Sequence, residues 1–120
     1  MKYLVVEDED MIIRVLCRLH PHFMREAMVV RTGSELERVL AGSSTFLAVL
    51  CDRKLGRITT TELLPRIARL APSVCLYSSS VEQRDLDLAE KYGILVIPDK
   101  TDRVALGSWV EAAMGSSSSS

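Results

Sequence analysis

Phe46-Leu47-Ala48-Val49-Leu50-Cys51-Asp52 decides the fold. Every residue before the aspartate is apolar, the pattern of a strand covered on both faces, and the run ends on a carboxylate. Such a strand belongs inside a parallel sheet, and in open parallel sheets ligands bind at the carboxyl ends of the strands. Asp52 therefore marks both an architecture and an edge at which chemistry can occur.

Outward from this run, the same alternation repeats along the chain. Leu4-Val5-Val6 is a short apolar run, followed by Met11, Ile12, Val15, Leu16 and Leu19 at helical spacing until His20-Pro21-His22 interrupts them. Ala27 to Val30 is a second β-like run. Thr32-Gly33 then turns the chain into a helix ending near Ala41, with Ser34 and Glu37 at the spacing of a capping box. After a polar segment from Asp52 to Thr60, Leu63, Leu64, Ile67, Leu70 and Ala71 mark a third helix, which Pro65 confines or kinks. Val74 to Tyr77 reads as a fourth strand, Val81 to Tyr92 as a fourth helix before Gly93, and Ile94 to Ile97 as a fifth strand closed by Pro98. Val104, Leu106, Val110, Ala113 and Met114 carry a last helix. Strands alternating with helices over short connections predict βαβ units, hence an α/β fold with a five-stranded parallel sheet between helical layers.

The chain has 120 residues, the size of one domain with one core. Its apolar fraction of 48% and charged fraction of 26% exclude disordered and fibrous classes. Fifteen Lys and Arg against sixteen Asp and Glu leave a net charge of -1, which gives no bulk attraction to nucleic acid or to an anionic membrane. No run approaches the roughly 20 apolar residues of a membrane span, and Glu7 interrupts the apolar start before a signal-peptide core could form. A cytoplasmic protein is the expectation. Cys17, Cys51 and Cys75 show no metal spacing and read as buried small hydrophobes in a reducing compartment. Residues 1–114 are expected to form the domain, with the Gly/Ser tail at 115–120 a linker stub outside it. His20 and His22 read as solvated loop histidines, and Tyr92 and Trp109 as packing residues.

The polar residues that follow each strand are the candidates for function. Glu7, Asp8, Glu9 and Asp10 follow the first strand, Asp52, Arg53 and Lys54 the third, Ser78, Ser79 and Ser80 the fourth, and Asp99, Lys100, Thr101 and Asp102 the fifth. Glu9 and Asp10 suit the acidic start of a helix, which its macrodipole favours. The remaining acids repel one another unless a cation relieves them, and Mg²⁺ prefers one or two carboxylates plus waters. Asp52 could then act as a nucleophile toward phosphorus, with Lys100 and Ser78 facing the phosphoryl oxygens.

Here the sequence resembles the receiver domains of two-component response regulators, over essentially residues 2 to 114. The matching stretches are Tyr3-Leu4-Val5-Val6-Glu7-Asp8-Glu9, Leu50-Cys51-Asp52 with Glu62-Leu63-Leu64, Leu76-Tyr77-Ser78-Ser79, and Gly93 through Lys100. The resemblance implies a flavodoxin-like (βα)5 sandwich of strand order 2-1-3-4-5. It implies Asp52 as phosphoacceptor, Asp8 as a direct Mg²⁺ ligand, Glu7 as a ligand through water, and the Lys54 backbone carbonyl as a further ligand. Ser78 falls on the hydroxyl that follows the phosphoryl group and Lys100 on the ion-pairing lysine. The phosphate would come from a histidine kinase or a histidine phosphotransfer protein, and the chain would catalyse only its own phosphorylation and dephosphorylation. The face of the fourth helix, fifth strand and last helix would receive an output partner or a second copy, and the chain would be a stand-alone receiver or one excised from a larger protein.

The chain departs from that pattern at Ile97, where the family usually has an aromatic residue, and at Thr101, where proline commonly follows the lysine. Gly56 and Thr59-Thr60 replace a proline and an Asp-Gly pair. Lys54 places a cation two positions after Asp52, within reach of the phosphoryl group or Glu7. Ile97 and Thr101 fit an alternative, a pseudo-receiver that binds partners without phosphorylation. A phosphatase or nucleotidyl-cleaving enzyme with Asp52 as nucleophile is a third reading; such enzymes typically carry a second acid where Lys54 stands. The absence of a GxxxxGK loop or GxGxxG argues against nucleotide binding.

Overall fold

The computed structural model describes the backbone of residues 1–118, and side chains up to Gly115. The chain runs β1 (Tyr3–Val6), α1 (Asp10–Leu19), α2 (Pro21–Arg25), β2 (Ala27–Val30), α3 (Gly33–Ala41) and β3 (Ala48–Asp52). A small antiparallel hairpin follows, β4 (Lys54–Leu55) and β5 (Ile58–Thr59), then a 3-10 turn (Thr61–Leu63) and α4 (Leu64–Ile67). β6 (Ser73–Tyr77), α5 (Gln83–Tyr92), β7 (Leu95–Ile97) and α6 (Arg103–Ser118) complete it. The main sheet has the order β2-β1-β3-β6-β7, all parallel, which is the expected order 2-1-3-4-5 once the hairpin strands are set aside.

Strand alternation divides the interior into two cores. Tyr3, Val5, Ala48, Leu50, Cys75 and Tyr77 face one side, where Ile13, Leu16, Phe23, Leu106, Trp109 and Val110 cover them. Leu4, Val6, Val49, Cys51, Val74 and Leu76 face the other, under Leu36, Leu64, Ile67, Leu88 and Ala89. All residues of β1 and β3 are buried because both of their faces are covered, whereas the edge strands β2 and β7 keep Met28 and Leu95 exposed. Tyr3 stacks on Phe23 at 4.4 Å, and Trp109 meets Phe23 edge-on and donates its indole N–H to Ser73 Oγ at 3.1 Å.

Several local expectations need correction. The capping box of α3 is formed by Thr32 and Glu35, not Ser34 and Glu37: Thr32 Oγ1 accepts from Glu35 N, and the Glu35 carboxylate accepts from Thr32 N. Glu37 instead pairs with Arg66. The third helix is shorter than its apolar spacing suggests. Pro65 sits in its first turn, and from Arg66 onward single-turn bonds lead to Pro72, before which Ala71 is steered away from helical geometry. The polar stretch after Asp52 is the β4–β5 hairpin, turned at Gly56 with φ 63. His22 lies in the added helix α2, and His20 is half-buried against α6, where burial lowers its pKa. Cys17 and Tyr92 are exposed, while Cys51 and Cys75 are buried as expected. The backbone of α6 runs as far as Ser118; Ser119 and Ser120 of the expected Gly/Ser tail lie outside the described residues.

Candidate functional site

β1 and β3 are neighbours whose following chains diverge, β1 toward β2 on one side and β3 toward β6 on the other, and this switch point is where an open α/β sheet binds ligands. The structure brings Glu7, Asp8, Asp52, Ser78 and Lys100 to that edge, and adds Glu9. Ligand oxygens of Glu7, Asp8, Glu9 and Asp52 lie within 4.8 Å of one another. Asp52, Ser78, Ser79, Ser80, Lys54, Lys100 and Glu9 line a cleft of about 180 Å³. A larger groove of about 810 Å³ between α3 and the hairpin gathers Arg31, Arg57, Leu55 and Ile58 but none of these groups.

Lys100 joins the carboxylates. Its Nζ lies 2.8 Å from Asp52 Oδ2, 3.2 Å from Glu7 Oε2 and 3.4 Å from Glu9 Oε1, and it stands 5.2 Å from the centre of the Tyr77 ring. Burial acts to lower the lysine pKa, but the hydrogen bond to Asp52 and the charges of Glu7 and Asp52 outweigh it, so Lys100 is held above its ordinary value. Glu7 is wholly buried. Burial raises its pKa, and the Tyr77 hydroxyl and the Glu9 N–H oppose the rise. Tyr77 O–H donates to Glu7 Oε2, and burial and the Glu7 charge drive its own pKa far upward, so it remains a donor.

The other expected residues have separate supports. Asp8, half-buried, accepts from Gly56 N–H at 2.8 Å. Asp52 Oδ1 receives only a long contact of 3.4 Å from Lys54 N–H, while Thr60 Oγ1 donates to the Asp52 carbonyl at 2.8 Å and fixes the backbone. Lys54 points to solvent at the cleft mouth, and the cation beside Glu7 is Lys100 rather than Lys54. Ser78 is buried with its hydroxyl toward Ser80 Oγ at 3.2 Å, and Ser80 N–H donates back to it. Without proline, the loop after Lys100 is held by Asp99, which accepts from Thr101 N at 2.8 Å and Thr101 Oγ1 at 2.7 Å, and by Lys100 N donating to Ser79 Oγ at 3.1 Å. Asp10 stays outside the cluster in an exposed ion pair with Arg31.

Sequence reading missed Glu9 and Tyr77. Glu9 reads as the start of a helix, and its place beside Lys100 depends on a contact 91 residues away. Tyr77 reads as the end of an apolar strand; the available signal was its hydroxyl, which a buried tyrosine normally directs to a partner.

No protein-family model matches the sequence, and no curated protein matches it. Solved structures do. The N-terminal domain of an uncharacterized protein from Wolinella succinogenes aligns at 21% identity over 98% of this chain and 96% of its own, with a TM-score of 0.74. A response regulator receiver domain protein from Methanospirillum hungatei aligns at 17% identity over 96% and 97%, with a TM-score of 0.67. The fold is that of a response-regulator receiver domain. A response regulator from Burkholderia pseudomallei, solved with a phosphorylated aspartic acid, a calcium ion and citrate, aligns at 16% identity over 98% of this chain and 72% of its own, with a TM-score of 0.66. Within this receiver fold, no described helix is long and apolar enough to cross a membrane.

Proposed function

We propose that this receiver-fold chain accepts a phosphoryl group on Asp52 and acts as a signalling switch. The observation that carries the reading is Lys100 bridging Asp52 Oδ2 and Glu7 Oε2 at the carboxyl edge of a receiver sheet. Lys100 holds one oxygen of Asp52 and orients the carboxylate. Oδ1, with its single long contact, is the oxygen left to attack. Attack forms a P–O bond and breaks the P–N bond of a phosphohistidine, whose electron pair returns to the imidazole; the product is an acyl phosphate. Ser78 and Lys100 line the cleft where the phosphoryl oxygens would sit.

The acidic cluster fits a magnesium ion, because its donors are carboxylate oxygens, which suit a hard cation. Asp8, Asp52 and the Lys54 carbonyl would hold it, with Glu7 behind them. When bound, it neutralises charge on the phosphoryl oxygens. The donor would be a histidine kinase or a histidine phosphotransfer protein. Exposed Leu86, Tyr92, Leu95 and Val104 on α5, β7 and α6 offer apolar contact for an output partner or a second copy.

Incubation with acetyl phosphate and Mg²⁺, followed by intact-mass measurement, tests the reading. A Mg²⁺-dependent phosphoryl adduct absent from Asp52→Asn is expected. No adduct, or one that persists in Asp52→Asn, overturns it and leaves a phosphorylation-independent interaction module. Multiple turnover of a phosphate ester would overturn it in favour of an enzyme.

A further inference from the structure

The two acids after β1 are supported very differently. Glu7 Oε1 accepts from Glu9 N–H at 3.1 Å, and Oε2 faces both the Tyr77 hydroxyl and Lys100 Nζ at 3.2 Å. A carboxylate offers about four acceptor positions. Those of Oε2 are taken and Oε1 keeps one, so a turn of the group must break one of these contacts. Asp8, by contrast, accepts Gly56 N–H through Oδ2, and Asp52 Oδ1 meets Lys54 N–H at a long 3.4 Å.

Tyr77 is placed by the sheet to hold this arrangement. It is the last residue of β6, pairs in register with Asp52 on β3 and Ile97 on β7, and is 1% exposed. Tyr77 and Ile97 lie in the same core, so the aromatic ring stands one strand away from the position where receivers usually carry theirs. Anchored by its hydroxyl and lying beside the Lys100 ammonium, the ring is fixed to the acidic pair rather than free to turn.

We propose that Tyr77 is a positioning residue of the cation site: its hydroxyl, with Glu9 N–H and Lys100, occupies Glu7 and keeps that carboxylate out of the inner coordination sphere. The inference rests on the phosphoacceptor reading only in requiring that the acidic cluster bind a divalent cation. Tyr77 sets how many protein oxygens reach the ion, and therefore how many waters the ion retains.

The probe is Mn²⁺, with affinity read by EPR titration and inner-sphere water number by water-proton relaxation. In Tyr77→Phe the ring packing survives while Glu7 loses a donor. The bound ion should lose one inner-sphere water, and affinity should rise roughly three- to tenfold as a carboxylate joins the set. In a Glu7→Gln background the same substitution should change neither quantity. An unchanged water number in Tyr77→Phe, or a change that persists with Glu7→Gln, overturns the inference. If the wild-type chain forms the Asp52 adduct while these readouts stay flat, only this inference fails; if it binds no Mn²⁺, both readings fall.

Discussion

Arg53 and Asp85 form a buried ion pair 32 residues apart, Arg53 Nε donating to Asp85 Oδ2 at 2.7 Å. Asp85 is wholly buried, in the first turn of α5, and also accepts Thr61 Oγ1 at 2.6 Å and Glu82 N–H at 2.9 Å; Arg53 reaches Glu82 as well, at 2.8 Å. The residue immediately after the candidate phosphoacceptor is thereby tied to the start of α5 and to the 3-10 turn. Arg53 thus links the backbone after Asp52 to the helix whose outer face carries Leu86 and Tyr92.

Removing one member of this pair strands the other. Arg53→Met should destabilise the fold by about 3–5 kcal/mol, because Asp85 is left buried with its charge unpaired. The double variant Arg53→Met, Asp85→Leu should recover part of the loss, since no charge then remains inside, but not all of it, because Thr61 Oγ1 and Glu82 N–H lose their acceptor. Urea denaturation of both decides the point; equal stabilities for single and double variants would contradict it.

Lys100 neutralises acids that a cation also neutralises, so its removal should separate two properties. Lys100→Ala is expected to bind Mg²⁺ at least as well as the wild-type chain, because one competing cation has left Glu7 and Asp52. It should lose the structural response to a beryllofluoride mimic. Titration with Mg²⁺ and amide NMR shifts on adding the mimic provide the measurement, and a full response in Lys100→Ala would contradict the assignment.

The sheet was legible because continuous apolar runs such as Phe46 to Cys51 have few homes other than a doubly covered strand. The site residues were legible because the topology places strand ends together, so Glu7, Asp52 and Lys100 could be gathered from their positions alone. The capping box was misplaced because Thr32 and Glu35 have the same spacing as Ser34 and Glu37, and only backbone geometry selects between them. The third helix was overextended because apolar spacing does not register a proline at each end of the segment. Tyr77 and Glu7 lie 70 residues apart, and Arg53 and Asp85 are joined across loops; such contacts leave no periodic trace in the sequence.

The buried thiols make the fold sensitive to alkali. Burial pushes Cys51 and Cys75 from 9.0 to about 12. Their folded pKa values are raised, so their contribution is fully present below pH 9.0 and is lost as pH rises toward about 12, where the unfolded chain has already released its protons. Each thiol should cost on the order of 1 kcal/mol of stability by pH 10. Cys75→Ala should flatten the decline of stability with pH above 9.0 relative to the wild-type chain, and an unchanged slope would contradict the assignment. In the native state, Ellman's reagent should titrate Cys17 rapidly and the other two only after denaturation.

Gly56 and Gly93 separate stability from cation binding. Both have positive φ, 63 and 71, and a Cβ at either would meet nothing within 4 Å, so replacement by alanine costs backbone strain alone. Each alanine should destabilise by about 1 kcal/mol. Gly93 ends α5, whereas Gly56 turns the hairpin and gives its N–H to Asp8 Oδ2 at 2.8 Å. Relaxation of the strained turn in Gly56→Ala should pull that N–H from Asp8 and release the carboxylate from the position in which it faces Asp52. Mg²⁺ affinity should therefore fall in Gly56→Ala and stay at the wild-type value in Gly93→Ala, although the two lose similar stability. Equal affinities in the two variants would mean that the hairpin does not position Asp8.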